Sequence, residues 1–245
     1  MSFSMDTFAS ELGTEFPIML KAGHVVEKSQ VRVASIAKGP NKKSLKADFR
    51  NRSKSEFQDE VGETVVSVCK KMYHGVLVFL PSYEMLNILV KRWKFTGMWK
   101  RLCDIKQPHT EVQGPRSNYQ LESEMKKFYD VIEETTRSTS GLTSTGQNGA
   151  IFFAVYRGKV SEGLDFADNN ARTVICIGIP FPSTKDVLVN EKKKYNDKKK
   201  ASGAQGVLSG DEWYTIQGIR PLNQALGRCI RHKDDWGAIL LVDER

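Results

Sequence analysis

The chain has 245 residues, 40% hydrophobic and 27% charged, ordinary proportions for a globular protein able to bury a sizeable core. Its 37 basic and 29 acidic residues leave a formal charge of +8, which favours a polyanionic partner. No run approaches the ~20 apolar residues of a membrane span, residues 1–6 lack a signal-peptide pattern, and four scattered cysteines without a CxxC pair exclude an ordinary zinc or complete iron–sulfur site.

Residues 31–36 read as an edge strand. Phe57, Val61, Val65, Val68 and Met72 fall on one face of a helix near 56–73. Residues 76–80 are wholly apolar and β-prone, the pattern of a strand covered on both faces. Leu86, Leu89, Val90 and Trp93 mark a second helix, residues 102–105 a short strand, and Leu121, Met125, Phe128 and Ile132 a third helix. Further covered strands follow at 151–155, 174–179 and 238–242, and Cys176 within one of them reads as a small core residue. Strands alternating with helices predict an α/β fold with a doubly wound, mostly parallel sheet flanked by helices, in one domain over 1–245. Two stretches read as flexible loops. Residues 138–148, STSGLTSTGQN, are rich in turn formers. Residues 192–206 hold two lysine triplets followed by small and polar residues. The triplets suit a nuclear import signal or a solvated helix face.

Three stretches carry candidate chemistry. In QALGRCIR (224–231), Gln224, Arg228 and Arg231 lie at i, i+4 and i+7. On a helix they share one face while Leu222, Leu226 and Ile230 pack inward. Two guanidinium groups on one edge suit phosphate oxygens, and Gly227 permits close approach of a ligand or backbone. In RGKVSEGLDF (157–166), directly after a strand, glycines allow tight turns. Ser161 and backbone N–H groups can hold phosphate there. Glu162 and Asp165 can accept from a ribose, a water or an arginine. In FLPSY (79–83), Ser82 suits either a helix N-cap or a nucleic-acid phosphate contact, with Tyr83 available for stacking. Residues 38–54 hold seven basic side chains against the single acid Asp48, fitting a backbone contact to nucleic acid or a solvated loop. Trp93, Phe95 and Trp99 read as core or interface, and the four histidines form no pattern.

RGKVSEGLDF resembles motif V, QALGRCIRH motif VI and GVLVFLPSY motif IV of the XPD-like superfamily 2 iron–sulfur DNA helicases. With IGIPFPSTKD and WGAILLVDER, the likeness is greatest to the Fanconi anaemia group J branch and spans roughly residues 5–245. The resemblance implies a RecA-like fold and the second motor half of an ATP-dependent 5′–3′ DNA helicase. It makes Arg228 and Arg231 arginine fingers and Gln224 the sensor of the γ-phosphate or attacking water. It puts Glu162, Gly163, Asp165 and Gly227 at the nucleotide, and Ser82, Tyr83, Lys159 and Ser161 along the DNA track. It further implies single-stranded or forked DNA and a first RecA-like half as partners, a nuclear location and a role in repair. No GxxxxGK[ST] loop and no acidic box occurs in the chain. ATP and Mg2+ are therefore expected to be held mostly by the first half, which also carries the family's iron–sulfur cluster, and this chain alone is expected to be inactive. The competing expectation is a non-catalytic nucleic-acid or protein binding module. Pro221 departs from the family pattern. It either restarts the helix or re-aims the arginine face.

Overall fold

A computed structural model describes residues 9, 11–14, 16–20, 23, 26–114, 117–163, 166–204 and 206–245, without the side chains of 117, 162 and 163. Where the sequence suggests one domain, backbone contacts separate two units: Val26–Ile179 with Gln224–Arg245, and Met1–Val25 with Pro180–Asn223.

The larger unit is built on six strands: β1 Val31–Ile36, β2 Val76–Leu80, β3 Gln107–Thr110, β4 Ala150–Val155, β5 Thr173–Ile177 and β6 Gly237–Val242. They pair in the order β1-β6-β5-β2-β4-β3, every neighbour parallel. All side chains of β2, β4 and β5 are buried, which is why these strands read as unbroken apolar runs. The expected edge strand is β1, a mixture of half-buried and exposed positions with none buried. The expected strand at 102–105 is absent. Leu102 lies in a short helix, and the strand is Gln107–Thr110. Four residues are too few for periodicity to separate the two states. Pro108 is tolerated because β3 is at the sheet edge.

The helices of this unit are α1 Ser55–Lys71, α2 Tyr83–Phe95, α3 Met98–Cys103, α4 Ser117–Arg137 and α5 Lys159–Gly163. Of the predicted stripe on α1, Phe57, Val61 and Val65 lie in the core and Val68 and Met72 pack half-buried against it; Cys69 joins the core from the same helix, as do Trp93 and Leu89 of α2. Such side chains each stabilise by about 1.5–3 kcal/mol when fully buried. Gly62 lets α1 approach these neighbours: an added Cβ would lie 1.9 Å from Met98 Sδ and 2.6 Å from Trp93 Nε1. The indole N–H is satisfied by the Gln58 carbonyl at 2.8 Å. Gly97, at φ +76°, ends α2 and opens α3 in the left-handed region that costs a glycine little. Trp93 is core as expected and Trp99 packs against it, but Phe95 is exposed.

In the smaller unit, residues 192–201 belong to α6, Val187–Ala201, which overturns the expected loop over that part of 192–206. Lysine propagates a helix well, and nearby acids offset the repulsion. Lys193 pairs with Asp211 at 2.9 Å and Lys200 with Glu212 at 2.7 Å. Asp186 caps the helix by accepting from Leu188 N at 2.8 Å. The next helix, α7, runs Gly210–Leu226 through Pro221 without a break, and the division between units falls between Asn223 and Gln224. Residues 138–148 hold no helix or strand, as expected. Their turn is closed by Thr143 N donating to Gln147 O and Gly146 N to Thr143 O.

Candidate nucleotide and nucleic-acid site

The site lies in the larger unit, on the segments that follow β2, β3 and β4 and the segment that precedes β6. After β2 the chain turns at Pro81 into Ser82, whose Oγ accepts from Met85 N at 3.2 Å. Ser82 thus caps α2 and is half-buried. Tyr83 is half-buried as well and bonds Glu111. Burial first, and the Glu111 carboxylate second, push its phenol up to about 12. Its hydroxyl is turned to the protein rather than presented to a strand.

Glu111 follows β3 and is only 4% exposed. One carboxylate oxygen accepts from Val155 N and the other from Lys159 N, both at 2.9 Å. Three chain segments therefore meet on one buried carboxylate. Between its two amide partners stands Gly158, where a Cβ would lie 2.6 Å from Glu111 Oε1. A side chain there would displace the carboxylate. Arg157 reaches this turn at φ +61° and is exposed.

Short helix α5 carries the next expected residues. Ser161 is buried, and its hydroxyl donates to Gly158 O at 2.9 Å. It holds the turn together and offers no surface to a DNA strand, contrary to expectation. Lys159 is exposed and donates its ammonium to Asn118 on α4. A groove of about 510 Å³ opens beside it, floored by Leu121, Met125 and Tyr129. The side chains of Glu162 and Gly163, and all of Asp165, lie outside the described residues.

The expected helical face of Gln224, Arg228 and Arg231 does not form. Helix α7 stops at Leu226, and a turn follows in which Arg228 N bonds Ala225 O and Cys229 N bonds Leu226 O, both at 3.1 Å. Gly227, with its freely chosen backbone, is where regular helix ends. The buried pair is Ala225 and Cys229 rather than Leu222, Leu226 and Ile230. The arginines nevertheless do not point into the apolar interior. Arg228 is half-buried and donates both Nε, at 3.1 Å, and Nη2 to the carbonyl of Ser161. That clasp joins the segment after β4 to the segment before β6. Gln224, Gly227 and Arg231 are exposed beside it in the chain.

A second tie fixes this segment. Asp235 is fully buried and accepts from Arg172 Nη1 at 2.6 Å, Arg231 N at 3.0 Å and Trp236 N at 2.9 Å. Arg172, itself 6% exposed, also donates to Trp236 O at 2.8 Å and lies 4.6 Å from the Trp236 ring centroid. Sequence reasoning missed Glu111, Arg172 and Asp235, since Glu111 meets its partners, and Arg172 and Asp235 meet each other, across long stretches of chain, and single acids or arginines beside strands carry no local signature.

The residues present do not fit a metal ion. Among the described residues, Asp168, His232 and Asp235 could converge on one, but Asp235 is already neutralised by the Arg172 guanidinium. Nor do the thiols fit an iron–sulfur cluster. Cys69, Cys176 and Cys229 are buried free cysteines. Burial foremost pushes all three up to about 12, away from the thiolate a cluster requires.

Residues 65–245 match the family model described as the helicase C-terminal domain. The chain belongs to that family. It is 50% identical over 241 residues to the Fanconi anemia group J protein homolog of Gallus gallus, covering 98% of this chain and 18% of that one. It is 41% identical over 236 residues to the regulator of telomere elongation helicase 1 homolog of Aedes aegypti, covering 96% and 22%. The chain thus spans about a fifth of the length of these relatives. Among solved structures, an XPD helicase aligns with TM-score 0.55 at 17% identity, covering 88% of this chain and 32% of that one. An apo XPD aligns with TM-score 0.57, also at 17% identity, covering 97% and 38%. The shared architecture is the RecA-like α/β fold expected from the motifs.

Proposed function

We propose that this chain is the second motor half of an ATP-dependent 5′–3′ DNA helicase that works on single-stranded or forked DNA in nuclear repair. The observation that carries the reading is the Arg228 clasp on Ser161, which ties the two segments resembling motifs V and VI. In an assembled motor, ATP and Mg2+ bind chiefly to a first RecA-like half, which also houses an iron–sulfur cluster. Arg228 and Arg231 then face the γ-phosphoryl group across the cleft, with Gln224 at the attacking water and Glu162, Gly163, Asp165 and Gly227 lining the nucleotide. A guanidinium in this role stabilises the charge that develops on the transferring oxygens. Lys159 supplies a phosphate contact to the strand, while Ser82 and Ser161 shape the segments that carry it.

Mixing the purified chain with a first motor half from a similar helicase tests the reading. The expected result is DNA-stimulated ATP hydrolysis that neither part shows alone. Arg231→Ala should lower kcat by about 10³-fold or more, and Arg228→Ala should abolish turnover. ATP hydrolysis by the chain alone, or turnover indifferent to both substitutions, would overturn it. DNA binding that persists without any hydrolysis on mixing would favour the non-catalytic binding module.

A further inference from the structure

Residues 37–54 connect β1 to α1, and their backbone is fixed at both ends. Leu45 is fully buried and its N–H donates to Ala37 O at 2.9 Å. Lys38 and Ser44 form an antiparallel bridge. Asp48 accepts from Asn51 N at 2.9 Å, and Gln58 Nε2 holds Arg52 O at 3.0 Å. From this tethered loop Phe49 projects 78% exposed. The Arg52 guanidinium lies 4.4 Å from its ring centroid and pairs in turn with Glu84 at 3.0 Å. Glu84 stands in the first turn of α2, next to Ser82 and Tyr83.

A lone exposed phenylalanine needs no explanation. This ring differs because a cation orients it and because seven basic residues surround it in sequence, of which Lys43, Lys46 and Arg52 pair with Glu56, Asp48 and Glu84. Arg50 is exposed and, like Lys38 and Lys42, pairs with no carboxylate among the described residues. An oriented aromatic face amid unneutralised cations matches an unpaired base with its phosphates. Every base offers a π-face for stacking, and the charges track the backbone. Duplex DNA hides those faces within its own stack.

We propose that Phe49, held by Arg52 and flanked by Arg50, is a stacking platform for a base of single-stranded nucleic acid. The inference deepens the motor reading above and rests on it. It adds a strand contact on the loop after β1 to the Lys159 contact on the segment after β4. It is tested with the 245-residue chain, fluorescein-labelled oligo(dT) and an oligonucleotide containing 2-aminopurine. Phe49→Ala should weaken single-strand binding about tenfold, remove the 2-aminopurine fluorescence change and leave duplex binding unaltered. Phe49→Trp should retain affinity. Arg50→Ala should reduce the slope of log affinity against log salt by about one, whereas Phe49→Ala should leave that slope unchanged. An unchanged melting temperature for Phe49→Ala excludes a folding defect. Equal binding by wild type and Phe49→Ala would overturn the platform, and a simultaneous loss in Lys159→Ala would leave the motor reading standing. Absence of single-strand binding by the wild-type chain also overturns the platform, while the mixing experiment decides the motor reading independently.

Discussion

Two segments that meet at the Arg228–Ser161 clasp are fixed by opposite electrostatic means. The segment after β4 is anchored on Glu111, a buried carboxylate compensated by two amide N–H groups and a phenol. The segment before β6 is anchored on Asp235, a buried carboxylate compensated by the full charge of Arg172 as well as two amides. Dipolar compensation loses one bond at a time. Ionic compensation fails abruptly, because removing one partner strands the other charge in a medium that solvates it poorly. The segment before β6 is therefore the more fragile of the two to single substitutions.

The largest expected effect follows from that asymmetry. Asp235→Ala should destabilise the chain by about 3–5 kcal/mol in denaturant titration, and the Arg172→Met, Asp235→Leu double substitution should lose much less. A double variant as damaged as the single one would show that the charges do not depend on each other. Lys106 extends the comparison to a buried cation with no carboxylate partner among the described residues: its ammonium donates to the carbonyls of His74, at 2.8 Å, and Asn148, at 3.4 Å. Burial lowers it from its ordinary 10.5 to about 8. Between those values the unfolded chain holds the proton and the folded chain does not, so stability rises with pH across the window. The gain should be about 3 kcal/mol relative to Lys106→Met, read from melts between pH 7 and 10.5. A difference that stays flat across that range would contradict it.

Smaller effects belong to the dipolar anchor. Glu111→Gln keeps one acceptor and loses the other, at a cost of about 1–3 kcal/mol. It should also move the Tyr83 phenol back from about 12 toward its ordinary value, visible in ultraviolet titration, although burial will hold it above that value. Ser82→Ala removes a single cap bond and should cost about 1 kcal/mol, with Ser82→Gly nearer a few tenths. If Ser82→Ala weakened DNA binding without touching the melting temperature, the serine would act on the strand rather than on α2.

The legible part of the fold was the part whose burial is uniform. Strands β2, β4 and β5 are apolar throughout, and α1 repeats its stripe over four turns, so burial wrote directly into residue type. Strand β3 was hidden because Gln107, Pro108, His109 and Thr110 look polar, and His109 is buried through its bond to Glu124 at 2.8 Å. Helix α6 was hidden because two lysine triplets leave it without an apolar stripe, and the acids that offset them come partly from α7. At the site, the motif residues were legible but their geometry was not. Helical spacing put Arg228 on a face with Gln224, whereas Gly227 ends the helix and the side chain reaches a carbonyl 67 residues earlier. Glu111 meets its amide partners, and Asp235 its guanidinium, only once the sheet has folded.

The strand order imposes a timetable on synthesis. Among the described residues strand β1 pairs with β6 alone, Val31 standing opposite Gly237, about two hundred residues later in the chain. Once made, it must wait with its backbone donors and acceptors unclaimed until the residues between it and β6 have followed. Closing so distant a pairing is slow, and a waiting β-strand is a template for the wrong neighbour. Arg32, exposed on β1, sets a charge on that open edge, a feature that discourages pairing with a wrong strand.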